Sequence, residues 1–143
     1  FYVHFAGKEA VLRELLIHEE ARIAAEVAPI ADRGAPLDEV LVGVVDAILK
    51  AERRLGRRLV RDLCAAQFLP DAASSAEVGD HPLGTVLIQA VADHAPNVDP
   101  AHLVTVFLTA VFGLLATDDG PPRERRNRID LLVELISKGT ATL

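Results

Sequence analysis

The residues in this sequence that could do chemistry are few. They are Cys64, the histidines His18, His81, His94 and His102, the serines Ser74 and Ser75, and the pair Asp118-Asp119. A nucleophilic serine on a strand-to-helix elbow needs a GxSxG context, and Ser74 and Ser75 lie in a loop-like stretch without one. Cys64 falls on an apolar helix face, where a thiol is inert. The histidines lack HExxH spacing, and the sequence does not assemble the carboxylate partners a metal site would need, so surface or structural roles are expected before metal ligation. Asp118-Asp119-Gly120 reads as a turn and not as a calcium ligand set. There is no glycine-rich phosphate loop. The expectation is a protein that is not an enzyme and needs no metal or cofactor.

Binding is the better prospect. Gln67 beside Cys64 and Phe68, and separately Gln89, Thr105 and Thr109, are polar groups set in mostly apolar helix faces. Such groups can orient a small, mostly apolar molecule in a helical cavity. Val104, Phe107, Leu108 and Val111 recur at helical spacing on one face, which predicts a pocket bounded by Leu63, Gln67, Phe68, Leu87, Val91, Val104, Phe107, Leu108 and Val111. Arg53, Arg54, Arg57, Arg58 and Arg61 form a basic run. A solvated face paired with Asp62 or Glu52 is expected there, ahead of a site for an acidic ligand.

The elements that must position these residues are helical. Val11, Leu12, Leu15, Leu16, Ile23 and Val27 predict a helix from Lys8 to about Ala28, with Gly7 as N-cap, Glu9, Glu14, Glu19, Glu20 and Arg22 on the wet side, and a kink or end at Pro29. A second helix is expected from Leu37 to Leu55, broken by Gly56, and a short third from Arg57 to Leu69, stopped by Pro70. Asp71 to Pro82 reads as the longest loop. Leu83 to Ala95 gives a fourth helix. Asp99 caps a fifth, with Pro100 at its first position, running to about Thr117. Arg123 to Lys138 gives a sixth, ended by Gly139. β-signals are nearly absent, so the fold class expected is an all-α bundle of about six helices.

Composition agrees with this. At 143 residues, 50% hydrophobic and 25% charged, the chain can bury a core as one domain. The net charge of −6 gives no overall attraction to nucleic acid or to an anionic membrane. A single cysteine excludes an intrachain disulfide framework and fits a reducing, cytoplasmic setting. The apolar run from Leu103 to Ala116 is shorter than a membrane span and reads as a buried helix.

The opening stretch, FYVHFAGKEAVL, carries the most specific signal. Phe1, Tyr2, His4, Phe5, Gly7, Lys8, Glu9 and Leu12 resemble the junction between recognition helix and linker helix in the TetR family of bacterial transcriptional regulators. Val3 departs from the aromatic frequent there, and Gly7 stands where serine is common. FLTAVFGLL is similar to that family's penultimate helix, and LLVELISKG to the end of its last.

The resemblance implies that residues 1–7 are the end of a DNA-recognition helix and residues 8–143 a TetR-like C-terminal ligand-binding and dimerisation domain. Tyr2, His4 and Lys8 would then reach DNA phosphates in the intact protein. The intact repressor would be a homodimer on operator DNA, released by a small, mostly apolar effector, with no role at a membrane. A symmetric interface is expected from small residues of the fifth helix (Val106, Thr109, Ala110, Gly113 and Thr117) and a stripe on the sixth (Ile129, Leu132, Val133 and Ile136). It should bury on the order of 1,200–2,000 Å² or more. The rival expectation is a stand-alone helical interaction module with no DNA role.

Overall fold

Apolar residues recur every three to four positions through nearly the whole sequence, and the structure is correspondingly helical. A computed structural model describes the backbone of residues 3–68 and 81–142, with side chains from Gly7 onward. Its helices are α1 (Val3–Asp32), α2 (Leu37–Leu55), α3 (Arg57–Ala66), α4 (Pro82–His94), α5 (Pro100–Thr117) and α6 (Pro122–Ala141), and no strand occurs among the described residues. Helix α1 packs on α2, α3 and α4. Helix α5 packs on α3, α4 and α6, and α6 covers α2 and α5.

One continuous core joins these layers. Val27, Val40, Val44, Leu87, Val91, Phe107, Val111, Leu115 and Ile129 all lie in it, each almost fully out of water. Helices α1 and α2 come close at Gly43, where a Cβ would stand only 2.7 Å from Ile30 Cδ1. Between α2 and α3 the chain turns at Gly56, whose φ of 95° suits glycine and few other residues. Asp99 caps α5 by accepting from the His102 backbone N–H at 3.2 Å, as its sequence position predicts.

The structure departs from the sequence reading at several helix ends. Helix α1 does not stop at Pro29: it continues to Asp32, because proline removes only one donor and the Arg33 N–H still closes on the Pro29 carbonyl at 3.2 Å. Nor does Gly7 start a helix; it lies inside α1, which is unbroken from Val3. Gly139 does not end α6 either. Local hydroxyl bonds from Thr140 to the Ser137 carbonyl and from Thr142 to the Gly139 carbonyl accompany the last turn, which runs to Ala141. Helix α3 ends at Ala66, and the expected loop from Asp71 lies outside the described residues up to His81.

The wet face assigned to α1 is also partly wrong. Glu19 and Glu20 are buried, whereas Val11 is exposed. Glu20 falls at i+4 from Leu16 and three residues before Ile23, so helical geometry turns it inward with them. Glu19 is matched by Arg54 of α2. The arginine run is engaged by other partners than those expected. Arg57 donates to the Asp118 and Gly120 carbonyls at 2.9 and 2.7 Å, Arg61 pairs with Asp119, and Glu52 pairs with Arg125 of α6. Arg57 and Arg61 tie α3 to the turn between α5 and α6, while Arg53 and Arg58 are exposed to solvent as expected.

That turn is held by charge as well. Asp118 accepts from the Gly120 backbone N–H and from Arg128, each at 2.9 Å. The Gly120 bond first, and the arginine after it, hold the Asp118 carboxyl below the usual carboxylate range.

Candidate ligand-binding site

Between α1, α3, α4 and α5 the helices leave a cavity of about 310 Å³. Its walls are Glu20 from α1, Gln67 and Phe68 just past the end of α3, His81, Leu83 and Gly84 at the start of α4, and Thr105, Leu108, Thr109 and Phe112 from α5. Gly84 presents no side chain there, and α3 ends at Ala66, just before the lining residues Gln67 and Phe68.

The wall is apolar with a polar cluster at one side. Glu20 has a side chain 8% exposed, and its Oε2 atom has no hydrogen-bond partner among the described residues. The His81 Nδ1 atom stands 3.3 Å from it, within ion-pair distance when the ring is protonated. Burial pushes the Glu20 carboxyl above its ordinary value, and the His81 ring opposes this. The Thr105 hydroxyl donates to the Ala101 carbonyl at 2.8 Å, so toward the cavity it offers only oxygen lone pairs.

Of the residues expected to bound a pocket, the structure brings Gln67, Phe68 and Leu108 together on this wall. Leu63 instead lines an adjoining hollow of about 40 Å³ with Leu16, Ile23 and Cys64, which shares Glu20, Leu83 and Phe112 with the cavity. Leu87, Val91, Val104, Phe107 and Val111 are packed in the solid core, which is where helical faces this apolar ordinarily go. Glu20, His81 and Phe112 were not among the expected lining residues. The signal for Glu20 was its place in the Leu16–Ile23 register; for Phe112 it was the step of four from Leu108. Gln89 takes no part, since its amide donates to Asp93 at 2.9 Å.

Cys64 is buried, and burial first, then the Glu52 charge, push its thiol up to about 12. No cluster of His, Cys, Asp and Glu side chains suited to a metal forms among the described residues. His94 and His102 lie apart from the cavity, and His102 sits beside the cap residue Asp99.

No family model matches the chain, and neither a curated protein nor a solved structure does.

The residues expected to face DNA or a second copy are placed as follows. Tyr2 and the His4 side chain lie outside the described residues, and Lys8 is exposed near the start of α1. On α5, Val106, Thr109 and Thr117 are exposed, while Ala110 and Gly113 are half-buried. A Cβ on Gly113 would meet Phe68 Cζ at 3.9 Å, so this glycine borders the cavity wall. On α6, Ile129 and Val133 are buried in the chain's own core, and Leu132 and Ile136 pack against it. Those four form the inward face of α6. Its outward apolar residues are Leu131 and Leu135, which are 55% and 61% exposed.

Proposed function

We propose that this chain is the effector-sensing and dimerising part of a ligand-responsive transcriptional repressor of the TetR type, with no catalytic role. The observation that carries the reading is the cavity's contact with α1. Glu20 forms part of its wall, and Lys8 stands on the same helix twelve positions earlier, about 18 Å along the axis. A molecule that filled the cavity would press on the helix that leads toward the expected DNA-facing end. Two arrangements of α1, favoured respectively by empty and filled cavities, are what a ligand-biased switch requires. The sequence resemblance at FYVHFAGKEAVL supports the DNA role, and the exposed Val106, Leu131 and Leu135 support a second copy as partner.

One observation favours the rival, a helical interaction module without DNA. Helix α1 is unbroken across Gly7, where a junction between two helices would put a bend. Binding selection separates the two readings. The polypeptide carrying whatever its gene encodes ahead of Phe1 is incubated with random duplex DNA, alongside residues 1–143 alone. The repressor reading expects the longer polypeptide to enrich a two-fold symmetric sequence. It expects residues 1–143 to enrich none, since phosphate contacts position but do not specify. Failure of the longer polypeptide to enrich any sequence would leave the rival in place.

A further inference from the structure

Glu20 is an anomaly in this fold. The other buried charges are matched: Glu19 with Arg54, and Arg125 with Glu52. Glu20 has only the His81 imidazole within ion-pair distance, a ring charged only when protonated, yet it is more than nine-tenths covered and lines the cavity. A buried carboxylate without a partner is costly, and the usual remedies are a matching cation or a proton. The wall supplies no permanent cation: beside His81 it contains neither lysine nor arginine among the described residues.

We propose that the cavity takes a small organic ammonium compound, its charged nitrogen against Glu20 Oε2 and its apolar body along Phe68, Leu108 and Phe112. This rests on the reading of the cavity as the effector site and names the class of molecule it takes. A second observation points the same way. The Thr105 hydroxyl has spent its proton on the Ala101 carbonyl, so it can accept from an N–H but cannot donate to an anion. The rings of Phe68 and Phe112 present faces or edges at the same wall, and an aromatic face attracts an ammonium group. A carboxylate ligand would meet Glu20 with like charge, and a neutral donor could hydrogen-bond Oε2 but would leave its charge uncompensated.

The test is calorimetric titration at pH 7 of three probes with the same eight-carbon chain, n-octylamine, 1-octanol and octanoate, against the wild-type chain and Glu20→Gln. Octylamine is expected to bind about ten-fold or more tighter than octanol, with octanoate weakest. In Glu20→Gln the amine should lose about ten-fold while octanol changes by less than about two-fold. The variant is expected to melt no lower than wild type at pH 7, because it removes a charge that burial disfavours. Octanol or octanoate binding as tightly as the amine would overturn the proposal and leave the effector-site reading standing. An amine preference that survives Glu20→Gln would also overturn it. If none of the probes binds at millimolar concentration, the ammonium proposal and the effector site fall together.

Discussion

Replacing Arg125 with methionine is expected to destabilise the fold by about 3–5 kcal/mol. Arg125 is 2% exposed, near the start of α6, and its guanidinium grips the Glu52 carboxylate of α2 through both oxygens, one of these bonds measuring 2.8 Å. Removing the arginine leaves Glu52 buried without its counter-charge. It also frees the helix whose Ile129 and Val133 close the core. The loss should appear in urea unfolding at fixed protein concentration, because a self-associating chain has concentration-dependent stability. The pair itself is a weak source of net stability. The double variant Glu52→Leu with Arg125→Met should therefore recover most of the loss. If Arg125→Met alone unfolds within about 1 kcal/mol of wild type, the buried pair does not anchor α6 as described.

Placing arginine at both Val106 and Leu135 is expected to abolish self-association while leaving the protomer folded. These side chains are 58% and 61% exposed, so a charged replacement costs the isolated chain little. Across a two-fold axis each patch meets its own copy, and two like charges would be brought into an apolar contact. The expected loss in dimer affinity is about 100-fold or more, enough to give monomers at micromolar concentration in sedimentation velocity. Ile129 and Val133 are poor choices for the same experiment. They are already covered within the chain, and charging them would damage the fold before it reported on an interface. A doubly substituted chain that still sediments as a dimer would place the interface on another face.

The all-helical architecture was legible because apolar spacing near 3.6 residues is repeated along most of the sequence, with Asp99-Pro100 and Gly56 marking ends by their own chemistry. The cavity was legible only at its edges. Gln67 and Phe68 were found because a polar and an aromatic residue interrupt an apolar face there, and Leu108 from its helical spacing with Val104 and Val111. The deeper positions, Leu87, Val104 and Phe107, look the same in sequence whether they line a void or fill a core. How the neighbouring helices pack on them decides between the two. Glu20 was missed for a different reason. Charge argues for the wet side, and the stronger geometric argument, its alignment with Leu16 and Ile23, was outweighed by residue type. On α6 the apolar stripe was seen, yet its direction was not. Leu131 and Leu135 lie on the other side of the same helix from Ile129 and Val133, and which side faces the core depends on α2.

The central claim is that ligand binding in the cavity repositions α1 within a two-fold dimer. A spin label on Lys8→Cys tests it most directly, because Lys8 is exposed on α1 and the buried Cys64 thiol, pushed up to about 12, should not take the reagent. Dipolar spectroscopy on the labelled chain should show a defined distance between the two copies of α1. That distance should change by several ångströms when the cavity is saturated with whichever eight-carbon probe binds it. A chain with no dipolar coupling at micromolar concentration, or with one distance unchanged by bound probe, would contradict the account.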